Sequence, residues 1–229
     1  MILDDAKRYV TRRIKKVEFL NTNFPHDYDA VNTEYRRLRN ELDVLTAVVE
    51  NLSNYEFGGA VMKNFAKLGN KLSSTTSLKM FGSNDIYTQA AIVGEELSNT
   101  THSSSIKAIG SKFSEAYQKI SAAKTEMNNK LKEVIGSLKI LKEESKTIDG
   151  LRRKAEDMRY DLEEKIQEGS SSKVQIDALA SDFNTKSLEA LRGMKTFIGD
   201  VGISGLLKKT ASIHREFSEE SYRVLSNVQ

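Results

Sequence analysis

The chain has 229 residues, 38% of them hydrophobic and 29% charged, with one proline, no tryptophan and no cysteine. That length supports one large domain or two small ones, and the lack of cysteine excludes disulfides and thiolate chemistry and fits a reducing compartment. A net charge of +3 is modest, so affinity for a polyanion has to come from local clustering of cations and not from the global field.

Low proline with abundant Lys, Glu, Leu and Ala suits long helices. The first is expected over roughly 3–20. Leu3, Ala6, Val10, Ile14 and Val17 form one stripe, with Arg8, Arg12 and Lys15 on the opposite face. A basic amphipathic helix of this kind either lies in a bilayer interface or packs its stripe onto a bundle. The segment has no signal-peptide h-region, and no run approaches the roughly 18 apolar residues of a membrane span.

Pro25 disfavours helix at Phe24, and Asp27 or Asp29 is placed to cap the next helix. That helix carries Val31, Tyr35, Leu38, Leu42, Leu45, Val49 and Leu52 at alternating steps of four and three. Apolar spacing continues less regularly through Met62, Phe65, Leu68 and Leu72, past Gly58, Gly59 and Gly69. The stretch 73–85 reads as a loop.

The third helix is expected to begin between 84 and 106. Its stripe runs Ile106, Ile109, Phe113, Ala116, Ile120, Ala123, Met127, Leu131, Val134, Leu138 and Leu141, and continues through Ile148 to Ile166 with Ser145 as a polar interruption. Sixty residues of helix reach about 90 Å, which suits an elongated antiparallel bundle. A fourth region spans about 173–227, and Gly199, Gly202 and Gly205 predict a kink or short break within it.

The residues offer no catalytic constellation. His26, His102 and His214 are scattered, no metal-ligand spacing occurs, and no glycine-rich phosphate cradle follows a strand. No cofactor, metal or small-molecule substrate is expected. Aromatic residues are too few to interleave with a basic patch, which argues against nucleic acid. The cations carry more content. Lys132, Lys139, Lys146 and Arg153 recur every seven residues on one line of the third helix, with Lys142 beside them, opposite the apolar stripe. Lys165 and Lys173 flank the turn QEGSSSK. Such a row either meets an anionic surface or is a solvated face, diluted here by Glu143, Asp149 and Asp157.

The stretches FPHDYDAVNTEYRRLRNELDVLTAVVENLSNYE, LRRKAEDMRYDLEEKIQE and LEALRGMKTFIGDVGISGLLKKTASIHREFSEESYRVLSNV together resemble the BAR domain superfamily, closest to fungal-type BAR proteins of Golgi vesicles. The resemblance implies an all-α, elongated three-helix coiled-coil bundle that dimerises into a crescent. It implies an N-terminal amphipathic helix and linker over 1–24 and a BAR-like helical domain over 25–229. Under it, the chain is a cytoplasmic homodimer, peripheral on vesicle, Golgi or plasma membranes. It would sense or generate curvature in vesicle trafficking or endocytosis. Arg8, Arg12, Lys15, Lys132, Lys139, Lys142, Lys146, Arg153, Lys165 and Lys173 would contact anionic phospholipid headgroups. The rival reading is a structural coiled-coil or tethering protein that binds partner helices without lipid contact.

Overall fold

The computed structural model describes residues 17–57, 85–169, 171–199 and 201–228. All the regular structure among them is helical: α1 Tyr28–Leu52, a 3-10 turn Tyr55–Phe57, α2 Ile86–Thr100, α3 Ser104–Glu168, α4 Lys173–Ile198 and α5 Val201–Leu225. They fall into two compact units, Met1–Glu41 with Leu141–Asp200, and Leu42–Ile140 with Val201–Gln229.

In the first unit, the start of α1, the second part of α3 and α4 share one core. Tyr28, Tyr35, Ile148, Ala155, Leu162, Phe183, Ala190, Met194 and Phe197 are buried. The aromatic rings fix the packing: Tyr35 meets Phe197 edge-on at 5.5 Å, and Phe24 stacks on Tyr28 at 4.1 Å while tilting against Phe183 at 5.5 Å. Ser145, the polar position in the stripe, is buried at 1% exposure. It is satisfied locally, because Ser145 Oγ donates to the Lys142 carbonyl at 2.8 Å and Tyr35 donates its hydroxyl to the Ser145 carbonyl at 2.8 Å. The GSSS turn is built as helix-ending and helix-starting chemistry. Gly169 has φ 64°, which an L side chain resists. Ser172 and Gln175 then form a reciprocal capping box at the start of α4.

The second unit gathers the end of α1, α2, the first part of α3 and α5 around Leu42, Val49, Ala91, Ala116, Ile120, Met127, Leu131, Val134, Leu138, Ile213, Phe217 and Val224. Asp85 caps α2 by accepting from the amides of Tyr87 and Thr88. α2 and α3 meet backbone to backbone: a Cβ on Gly94 would lie 2.8 Å from the Ser114 nitrogen and 2.9 Å from the Gly110 carbonyl.

Several sequence expectations change here. α1 begins at Tyr28 after Asp27, whose φ is 67°, and no aspartate side chain caps it; the Tyr28 amide bonds instead to the Pro25 carbonyl at 3.1 Å. Residues 17–20 are not helical, because their backbone is captured by α3, as shown below. The remainder of the expected N-terminal helix, with Arg8, Arg12 and Lys15, lies outside the described residues, as do Met62, Phe65, Leu68 and Leu72. The break in the last helical region falls after Ile198, where Gly199 ends α4, while Gly202 and Gly205 lie inside α5. Ile106 and Ile109, expected in the core, are 49% and 50% exposed.

Candidate functional site

In the first unit, three of the expected contact residues are engaged by their own neighbours. Lys146 pairs with Glu143 at 2.6 Å and Lys165 with Glu168 at 2.8 Å, each three residues away on α3. Arg153 donates to the Asp149 carbonyl at 3.3 Å. Lys142 and Lys173 are exposed, the latter opening α4. In the second unit, Lys132 donates to the Asn129 side chain at 3.1 Å, and Lys139 is exposed. Lys132 and Lys139 in one unit, and Lys142, Lys146 and Arg153 in the other, are thus exposed positions of α3, and Lys146 and Lys165 are neutralised locally.

The two other arginines of LRRKAEDMRYDLEEKIQE do structural work. Arg152 donates to Asp149 at 3.0 Å, and Arg39 reaches the other oxygen of the same carboxylate at 2.9 Å. Tyr35 adds a third contact to Asp149 at 3.3 Å. Burial, then the Asp149 charge and hydrogen bond, push the Tyr35 hydroxyl up to about 12. Arg159 lies over the rings of Phe19 and Phe24 at 4.4 and 4.9 Å and donates to the Thr22 carbonyl at 2.8 Å.

Glu163, one turn further on, is fully buried. It accepts from the Leu20 amide at 3.0 Å, the Asn21 amide at 3.0 Å, the Asn21 side chain at 2.9 Å and the Thr22 hydroxyl at 2.7 Å. Burial alone would raise its pKa, but these donors outweigh burial and hold the carboxyl below its ordinary value of 4.5. Residues 17–24 are therefore strapped across α3 by one carboxylate and one guanidinium.

A second buried charge lies in the other unit. Lys124 is 1% exposed. Its ammonium sits 2.9 Å from Glu56 Oε2, donates to the Leu52 carbonyl at 3.0 Å and to Asn128 at 2.6 Å, and lies 4.2 Å over the Tyr55 ring. The Oε2 approach is an ion pair and not a well-aligned hydrogen bond. Asn128 completes the cluster by donating to Glu56 Oε1 at 2.7 Å. Sequence reading passes over this residue by assigning Ala123 to the stripe. The signal is nonetheless present, because Lys124 stands four after Ile120 and three before Met127. A cation in a core register requires a buried anion. Glu163 carries no comparable signal, since its donors are amides and side chains of residues 20–22, more than 140 residues away.

Among the described residues, no group of three or more His, Cys, Asp or Glu side chains is arranged to hold a metal ion. Among them too, no helix is long and apolar enough to cross a membrane. No family model matches the chain. Curated relatives do. Spore wall protein 12 of Enterocytozoon bieneusi is 35% identical over 94% of this chain and 94% of its own length. Spore wall protein 12 of Encephalitozoon cuniculi is 32% identical over 98% of this chain and 97% of its own. The chain belongs to the spore wall protein 12 family. A third member, from Nosema bombycis, is 28% identical over 99% of the chain and the whole of its own length.

Membership in the spore wall protein 12 family corrects the BAR resemblance. It also corrects what that resemblance implied: curvature sensing or generation in trafficking and endocytosis, Golgi vesicles, and a cytoplasmic, membrane-peripheral location. The relatives that span the chain are named for the spore wall and not as BAR proteins. The physical reason for the error is plain. Steps of four and three are what any helix needs to bury a stripe against other helices. They identify a helical bundle, and the stretches compared contained little else.

Proposed function

We propose that this chain is a structural, non-catalytic component of the spore wall, an antiparallel helical bundle that acts by associating with itself and with neighbouring wall material. Relatedness to proteins named spore wall protein 12 along nearly the whole chain carries this reading. The residue chemistry supports it. The buried charged groups, Lys124 with Glu56 and Glu163 with residues 20–22, are tied into the packing. The exposed cations of α3 and α4 are in this reading contacts for anionic neighbours in the wall. Lys139 and Lys173 are exposed among them.

The experiment is immunogold electron microscopy of sectioned spores of the source organism, with antibody against this chain. Gold concentrated over the wall is expected. Gold confined to internal membranes would remove the reading.

A further inference from the structure

The hairpin formed by α2 and the start of α3 is packed with its small residues inward and its large apolar residues outward. α2 buries Ala91, Gly94 and Ser98, while Gly110 and Ser114 of α3 are buried opposite them. Ile86, Val93 and Leu97 remain 58%, 52% and 51% exposed. With Ala90 between them, these residues step by four, three and four, the spacing of a seam that packs against another helix. On α3, the buried stripe that includes Ala116 and Ile120 continues past the part lined by Val224 and Val228 of the α5 end, into Ile109 and Ile106. At about 100° per residue, the exposed stripes of the two antiparallel helices point to the same side of their contact. They form one apolar face.

From this face we infer that the α2–α3 hairpin is the surface through which two copies of the chain pair, about a two-fold axis parallel to the hairpin. The charges select the occupant and the axis. α2 carries Glu95 and Glu96 and no cation; residues 103–113 carry Lys107 and Lys112 and no acid. None of the four forms an ion pair with a described residue. At about 100° per residue, Glu96 borders the face on the outer edge of α2 and Lys112 borders it on the outer edge of α3, where Lys112 lines a pocket with Val224 and Val228. A two-fold along the hairpin lays α2 of each copy antiparallel over α3 of the other and brings Glu96 of one edge to Lys112 of the facing edge, twice. A two-fold across the hairpin would instead set Glu96 against its own copy, which is repulsive. The pairing covers Val93, Leu97, Ile106 and Ile109 at once.

This inference deepens the structural reading and rests on it, since a wall component that builds by self-association needs such a surface. The test is sedimentation equilibrium of the full chain. A dimer is expected at about 50 μM, and Val93→Glu with Leu97→Glu is expected to raise its dissociation constant by about 100-fold or more, as loss of central apolar contacts does. Both positions are exposed, so helical content by circular dichroism should be unchanged. Glu96→Lys alone is expected to weaken the dimer, and Glu96→Lys combined with Lys112→Glu to restore it. A monomeric wild-type chain, a dimer indifferent to the Val93 and Leu97 changes, or no rescue by the paired charge swap would overturn the inference. Wall labelling together with any of those results would remove this interface and leave the wall reading standing; the absence of wall labelling with a dimer that behaves as described would do the reverse.

Discussion

Arg159 and Thr22 are joined across 137 residues of sequence: the guanidinium donates to the Thr22 carbonyl at 2.8 Å and to its hydroxyl at 3.3 Å. The same hydroxyl donates to Glu163 at 2.7 Å. Thr22 is thus held between a cation and an anion one helical turn apart on α3. That arrangement, with the packing of Phe24 on Tyr28 and Phe183, fixes where the chain lies before α1.

Removing the carboxylate should release this strap. Glu163→Ala leaves the amides of Leu20 and Asn21 and the Thr22 hydroxyl without their acceptor, at a cost of about 1–3 kcal/mol. Urea unfolding should show that loss, and limited proteolysis should show faster cleavage within 17–24. Unchanged stability with unchanged cleavage would mean that the strap contributes nothing.

Acid should act at the same place. The Glu163 carboxyl is held below 4.5 in the folded chain, so its stabilisation is fully present above the unfolded value and disappears as pH falls through the folded one. Asp85 behaves alike: burial opposes its charge, but bonds from Thr88, Ser121 and Tyr87 prevail and hold it below 3.8. The stability gap between wild type and Glu163→Gln is therefore expected to be largest at neutral pH and to narrow below about pH 4.5, measured by denaturant midpoints across pH. A gap that widens on acidification would reverse the sign of the argument.

In the second unit, Lys124→Met should destabilise by about 3–5 kcal/mol, because Glu56 is left charged and buried without its partner. Adding Glu56→Leu should return much of that loss, since an apolar pair of similar volume fills the same space without a desolvation penalty. Thermal unfolding of the two variants distinguishes a mispaired charge, which the second change repairs, from simple loss of packing, which it does not.

Much of the helical architecture was legible in the chain. The four-three stripe through Leu131, Val134, Leu138 and Leu141 is buried as its spacing demands, and Gly199 ends a helix where the glycine-rich stretch predicts a break. What stayed hidden has physical causes. The roles of Arg152 and Arg159 depend on Asp149 and on the backbone of residue 22, partners that a stripe does not reveal. Ile106 and Ile109 continue the apolar spacing of α3, yet they are 49% and 50% exposed. Spacing shows which side of a helix is apolar, not what covers it. The cations of α3 are legible too, but spacing does not show that Glu143 is a direct partner of Lys146. The family was not legible, because heptad-like spacing is common to unrelated bundles.

Glycines separate close packing from open surface. Gly94→Ala would place a methyl group 2.8–2.9 Å from the backbone of Ser114 and Gly110, and overpacking of that kind costs about 1–3 kcal/mol. Gly136→Ala meets nothing within 4 Å inside α3 and should stabilise by up to about 1 kcal/mol through helix propensity. Opposite shifts in thermal midpoint are expected; equal shifts would deny the backbone contact between α2 and α3.

Where the protein resides decides between a structural place in the spore wall, as proposed, and any other. Immunogold labelling of sectioned spores should place the gold over the wall, with little over the interior. Gold distributed over internal membranes or the cytoplasm, with the wall unlabelled, would contradict the account.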